Sequence, residues 1–354
     1  DTVCAMENAG TLGIIVNPHS GRDARRLFAR AGTSTIEDKR NQVTRIVVGA
    51  TAAGVSKILL SRDAFRIAAA ATEALSLPVD CELLDLDFTG HGADSQNAAR
   101  VMRERGASAI VALGGDGTSR AITQAWRDVT LLPLSTGTNN VFPFHVEATV
   151  AGAAAGLIAS GRLPREQGAA PAKILEVRCD NGRESLALID AALLVDDHPG
   201  SLLQADPEKL ARVLLTRAEP DAVGLSPVGG LLLPCYAEDD FAVEAVTRPE
   251  PNPEANGRTL RAPISPGLYA NVGIDGVDRV TLGTEVIWTG PGLLAFDGDR
   301  EIVLEDGERA TLSVVRQGPW VIDPRRTLRA AADGGLFVDL GHWHDQRSGA
   351  TGCC

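Results

Sequence analysis

Cysteine is scarce and scattered in this sequence. The six cysteines stand at 4, 81, 179, 235, 353 and 354, with no CxxC pair. That spacing argues against both a disulfide framework and a zinc ribbon, and the adjacent Cys353 and Cys354 read as a frayed tail. Lysine is scarcer still. Only Lys39, Lys57, Lys173 and Lys209 occur among 34 basic residues. Cationic contact with phosphate therefore falls mainly to arginine, whose guanidinium offers a fork of N–H donors. Positive charge is in deficit overall, with 46 acidic residues and a formal net charge of −12. That balance argues against nucleic acid or an anionic membrane as the main partner, and it leaves room for a local pocket for a small anion. No apolar run approaches the roughly 18 residues of a membrane span. The opening stretch DTVCAMENAG lacks the basic-then-apolar pattern of a secretory signal, and the expected location is the cytoplasm. Neither GxxxxGKS nor GxxxxGKT occurs, so a Walker-type P-loop is excluded.

What is present is enough chain, 354 residues and 44% apolar, for two domains with cores of their own. TLGIIVNPHSG (11–21) reads as a strand entering a turn, and 22–32 as a short helix or ordered loop. VTRIVVGA (43–50) is β-branched and reads as a strand, and 52–75 as helical with a break near Ser61. A strand is expected over 78–90, a helix over 92–107, a buried strand in SAIVALGG, a helix from Thr118 to Trp126, and a strand in LLPLSTGT. Alternating strands and helices predict an α/β domain with a mostly parallel sheet over 1–145. Beyond about 172 the pattern turns to short strands, including a hairpin at Asn181-Gly182, which predicts a β-rich domain over 146–325. Residues 247–266, rich in proline and polar residues, read as a long exposed loop. Residues 326–354 read as a tail, helical at its start, that packs back on the first domain.

The stretch ALGGDGTSRAIT (112–123) encloses Asp116 between Gly114, Gly115 and Gly117, straight after an apolar run. Glycine lets backbone N–H groups converge on an anion, and the following helix start adds a partial positive field. An acid placed there serves to accept a proton from an attacking hydroxyl or to anchor Mg²⁺ beside phosphates. The plain alternative is a tight strand-to-helix turn. Comparable loops follow two other strands, with Asn17, Pro18, Ser20 and Gly21 in the first, and Thr136, Gly137, Thr138, Asn139 and Asn140 in the second. Ligands of open parallel sheets sit beyond the carboxyl ends of the strands, so these loops should share one crevice.

NPHSG, GGDGT, STGTNN and, more weakly, FDGD (296–299) together resemble the superfamily of NAD kinases, diacylglycerol kinases and sphingosine kinases. VNPHSGRDARRL, LSTGTNNVFP and AEPDAVGLSPVGGLLLP (218–234) are more closely similar to the ATP-NAD kinase-like acetoin catabolism protein X group. The resemblance implies an N-terminal α/β domain, a C-terminal β-sandwich, and ATP with Mg²⁺ between them. It implies Asp116 as the acid/base or phosphate-positioning carboxylate. It places Asn17, Ser20, Thr89, Gly115, Gly117, Thr118, Gly137, Thr138, Asn139, Asn140 and Asp297 at the nucleotide. The activity implied is phosphoryl transfer to a hydroxyl of a small soluble acceptor, NAD or a related metabolite, by a chain that forms homo-oligomers. A lipid or small-polyol kinase and a non-catalytic nucleotide-binding regulator are the alternatives. The chain departs from the lipid kinases where they carry acids, offering Ser119, Arg120, Ala121 and then Asn140, and Asp190 is a poor match for the NAD kinase asparagine–glutamate pair.

Three further clusters have plainer readings. His342 and His344 alternate as a metal pair would, but no third ligand has suitable spacing, and a solvated terminal segment is simpler. Asp196, Asp197 and His198 read as a turn before Pro199. Arg22 and Arg25 stand beside the Asn17 loop as candidates for phosphate contact or as an exposed basic face.

Overall fold

The computed structural model describes residues 10–21, 34–73, 75–137, 140–199, 206–248 and 258–338. In chain order the first part holds β1 (Thr11–Val16), α1 (Ile36–Ala52), β2 (Lys57–Leu60), α2 (Ile67–Thr72), β3 (Asp80–Leu83), α3 (Gly92–Glu104), β4 (Ala107–Gly114), α4 (Asp116–Ala125), β5 (Thr130–Ser135), α5 (Ala148–Ala159), α6 (Arg165–Gly168) and β6 (Ala169–Pro171). There follow β7 (Ile174–Cys179), β8 (Glu184–Ala187), β9 (Asp190–Leu194), β10 (Leu210–Leu215), α7 (Ser226–Gly230), β11 (Phe241–Arg248), β12 (Arg258–Ser265) and β13 (Leu268–Thr281). The last elements are β14 (Glu285–Thr289), β15 (Gly292–Phe296), β16 (Asp299–Leu304), β17 (Arg309–Val315), β18 (Trp320–Ile322) and α8 (Pro324–Asp333).

The first sheet runs β3-β2-β1-β4-β5-β18-β6. Its first six strands are parallel, and β6 pairs antiparallel with β18. β4 is buried along nearly its whole length, which is why it reads as one continuous apolar run. The β-rich part is a sandwich, as expected. A seven-stranded sheet, β12-β13-β11-β10-β9-β15-β16, packs on a four-stranded one, β14-β17-β7-β8. Val177, Trp288 and Leu312 from the smaller sheet meet Leu214, Leu294 and Phe296 from the larger in one core. The chain then returns to the first layer, where Leu328 and Ala331 of α8 pack with Leu157 of α5. Among the described residues no helix is long and apolar enough to cross a membrane, and Cys81, Cys179 and Cys235 are free thiols.

Three sequence expectations are corrected. Residues 43–50 lie within α1, not in a strand. Val43, Ile46, Val47 and Ala50 are all buried on one helical face, and Thr35 with Asp38 forms a capping box ahead of them. The 52–75 stretch contains strand β2, whose four residues pair with both β1 and β3; pairing on both edges overrides the helix-favouring alanines around it. Within 247–266, residues 258–265 form edge strand β12 on β13 rather than a loop, with Ala262 and Ser265 buried.

Helices α1 and α5 cross closely through small residues. A Cβ added at Gly152 would lie 2.2 Å from Ile46 O, and one at Gly49 would lie 2.1 Å from Thr149 O. Gly152→Ala should therefore force the helices apart and lower stability by about 2 kcal/mol, readable as a drop in the thermal midpoint. An unchanged midpoint would contradict the tight crossing.

Candidate functional site

The loops after β1, β4 and β5 and the turn between β15 and β16 enclose one cleft of about 360 Å³. The β1 loop is built on Asn17. Its Oδ1 accepts from His19 N at 2.9 Å and Ser20 N at 3.2 Å, an Asx turn, while Nδ2 donates to Thr118 Oγ1 at 2.8 Å. The outer side of that loop is held by a residue the sequence reading passed over. The ammonium of Lys39, buried on α1, donates to the carbonyls of Asn17 at 2.9 Å, Pro18 at 2.9 Å and Ser20 at 2.7 Å. Its signal in the sequence was a lone lysine on the apolar face of α1. With its donors spent on carbonyls, Lys39 shapes the loop and leaves anion contact to other groups.

Gly115 caps α4 and Asp116 opens it. The Asp116 carboxylate reaches across to the next loop, accepting from Val141 N at 3.2 Å and Phe142 N at 2.9 Å. Gly115 beside it and Gly137 on the next loop leave room for a side chain of the protein itself. A Cβ at Gly115 would lie 2.6 Å from Asn140 Oδ1, and one at Gly137 would lie 2.5 Å from Asn140 Nδ2. The space these glycines free is taken by the Asn140 carboxamide, which also donates to Ser135 Oγ at 3.0 Å. A Cβ at Gly114 would strike Thr118, whereas one at Gly117 would stand at 3.4 Å from Asp299, an ordinary contact. Gly115→Ala should therefore displace Asn140 and lower stability by about 1–3 kcal/mol, with Gly117→Ala near wild type. Denaturant unfolding checks both, and equal stabilities in the two variants would remove the Asn140 latch from the account.

Asp297 stands in the β15–β16 turn at φ +48°, a conformation aspartate tolerates better than most residues. Its carboxylate accepts from the backbone N–H groups of Leu188 and Ile189, both at 2.8 Å, and of Asp190 at 3.1 Å. Burial, then the charge of Asp297, pushes the Asp116 carboxyl up to about 7, against the pull of the Phe142 and Val141 amides and of Arg217. Asp190 is pushed well above the usual range by burial and by both neighbouring carboxylates. Burial also raises Asp297, opposed by Arg120 and by its three backbone donors. Asp190 is buried beside Asp297, and its Oδ1 has no hydrogen-bond partner among the described residues. An acid in the otherwise apolar strand of ALIDAALL was its signal in the sequence.

The cleft brings together Asn17, Ser20, Gly115, Asp116, Gly117 and Thr118 with Gly137, Asn140 and Asp297. Thr89 does not face it. Its N–H and hydroxyl donate to Asp94 Oδ1 at 2.9 and 2.8 Å, fixing the start of α3. Thr138, Asn139, Arg22, Arg25, His342 and His344 lie outside the described residues. Asp197 forms a buried ion pair with Arg300 at 2.6 Å and belongs to the sandwich. Ser265 and Pro266, expected in a loop, line the far wall of the cleft. Among the described residues no group of three or more His, Cys, Asp or Glu is placed to hold a metal. The oxygens of Asp116 each accept one backbone N–H bond, which orients the carboxylate and leaves a second lone pair on each, and Asp297 is turned toward the amides of Leu188 and Ile189.

This arrangement has relatives. Residues 12–162 match the ATP-NAD kinase N-terminal domain, and residues 173–317 match the acetoin catabolism protein X C-terminal domain. Among solved structures, yeast NADH kinase complexed with NADH is similar in fold, with TM-score 0.51 and 12% identity over 94% of this chain and 89% of that one. A diacylglycerol kinase from Bacillus anthracis str. Sterne is a looser likeness, at TM-score 0.41 and 14% identity over 88% of this chain and 96% of that one. Acetoin catabolism protein X of Cupriavidus necator is 35% identical over 346 residues, covering 94% of this chain and 95% of its own. The likeness thus runs through both the Asp116 cleft and the sandwich that closes it, and the chain belongs to the acetoin catabolism protein X family.

Proposed function

We propose that the protein is an ATP-dependent phosphotransferase of the NAD kinase type, acting on a hydroxyl of a small soluble acceptor such as NAD. The observation that carries this reading is Asp116, with its carboxyl near 7 at the start of α4 in a cleft at the carboxyl ends of parallel strands. A group of that affinity suits a general base at neutral pH. The acceptor O–H gives its proton to Asp116 as the oxygen attacks the γ-phosphorus, and ADP departs. Mg²⁺ enters as part of the nucleotide complex, hence as substrate, and supplies charge neutralisation on the phosphates. Asn17 and Lys39 keep the β1 loop in shape, and the α4 start presents backbone N–H groups to an anion. The kinase-type family match over the first domain supports the reaction class, and the NADH kinase likeness supports the fold alone. The link to acetoin catabolism rests on the relative's name.

One observation favours a second reading, a nucleotide-binding regulator without transfer. Both Asp116 oxygens are already engaged by backbone N–H groups, as a purely structural acid would be. A screen of hydroxyl acceptors with ATP and Mg²⁺ decides between them. Turnover with NAD supports the leading reading, turnover only with a polyol or lipid moves the acceptor, and ATP binding without turnover on any acceptor supports the regulator.

A further inference from the structure

Arg120 lies one turn along α4 from Asp116, yet its side chain leaves the first domain. The guanidinium is 3% exposed. Nε donates to Leu186 O at 2.6 Å, and Nη2 donates to Ser185 Oγ at 2.8 Å. Nη1 and Nη2 grip the two carboxylate oxygens of Glu301 at 2.5 and 2.7 Å, with Asp299 at 3.8 Å. The guanidinium carbon stands 5.4 Å from the centre of the Phe296 ring. A planar fork meeting a carboxylate with two prongs fixes orientation as well as distance. The partners bracket Asp297 in the chain, with Phe296 before it and Asp299 and Glu301 after it.

We infer that Arg120 is a positioning residue, a strut from α4 to the β-sandwich that holds the Asp297 turn against the Asp116 loop. Its relevance to catalysis rests on the phosphotransfer reading, but its geometry can be tested without turnover. A buried ion pair is weak grounds for stability alone, since desolvation offsets much of its attraction. The strut has a more specific consequence. Asp116 is faced by Asp297 and Asp190 from the sandwich and by Arg217 from the segment after β10. Of these, Asp297 sits in the turn that Arg120 grips. Loosening the grip lets that turn move off and water enter, and Asp116 then holds its proton less tightly.

The test is titration of the Asp116 carboxyl by NMR in protein carrying ¹³C-carboxyl aspartate, the resonance being identified by its loss in Asp116→Asn. Glu301→Gln, at a half-exposed side chain, and Ser185→Ala, which changes no charge, each remove part of the strut. Arg120→Lys keeps the charge and loses the fork. We expect the Asp116 midpoint to fall by about one pH unit in Glu301→Gln and in Arg120→Lys, and by less in Ser185→Ala. Folded variants with unmoved midpoints would make Arg120 a fold residue only and overturn the inference. A shift in Glu301→Gln with none in Arg120→Lys or Ser185→Ala would reduce the effect to charge and overturn it equally. Should Arg120→Lys fail to fold, Ser185→Ala and Glu301→Gln decide. Calorimetry of Mg·ATP with the wild type is run alongside. Absence of binding there sinks the phosphotransfer reading, while the titration still judges the strut.

Discussion

Asp116→Asn should lower turnover by about 10²-fold or more, the scale of a lost general base. The substitution is not conservative here. One oxygen that accepts from Val141 N or Phe142 N becomes an amide that faces another donor. That mismatch should cost about 1–3 kcal/mol of stability, so turnover must be compared at a temperature where both proteins are folded. The pH dependence separates the two effects. In the folded protein Asp116 titrates near 7, raised from the ordinary 3.8. Its protonated form therefore contributes stability that is fully present below about pH 4 and lost as pH rises through 7. With Asp116 as the proposed base, turnover should need the ionised form and rise over that upper range. Wild-type activity and this part of its stability should thus move in opposite directions between pH 4 and 7. In Asp116→Asn the stability slope over that interval flattens. Activity of Asp116→Asn within a few-fold of wild type would sink the role of base.

Lys39→Met should cost about 3 kcal/mol or more, since each buried carbonyl left without its donor costs about 1–3 kcal/mol. Methionine matches the volume but leaves the carbonyls of Asn17, Pro18 and Ser20 without their shared donor. Because those carbonyls form the β1 loop, any folded fraction should also bind ATP poorly. Denaturant unfolding reads the first effect and calorimetry the second. A variant of native stability and native ATP affinity would show that the loop stands without Lys39.

The parallel sheet and its loops were legible because each depends on neighbours in the chain. A continuous apolar run before GGDGT reads as a buried strand, and the loop follows from it. Residues 43–50 misled because Val43, Ile46, Val47 and Val48 suit a strand by composition, whereas the helical spacing of Val43, Ile46, Val47 and Ala50 and the capping box at Thr35 and Asp38 show the helix. The contacts that escaped notice act at a distance. Arg120 meets Glu301 181 positions later, and Asp297 reaches back 109 positions to Leu188. Ser265 enters the cleft only because β12 pairs with β13, and its proline-rich setting reads as loop. The Asn140 carboxamide that fills the room left by Gly115 and Gly137 is another contact the loop sequences do not reveal.

The most direct measurement is to follow γ-labelled ATP with Mg²⁺ and NAD in the presence of the purified protein. The account predicts label in the dinucleotide product, at a rate that rises through pH 7 and collapses in Asp116→Asn. Label that stays in ATP or appears only as free phosphate, alike in wild type and variant, would contradict it.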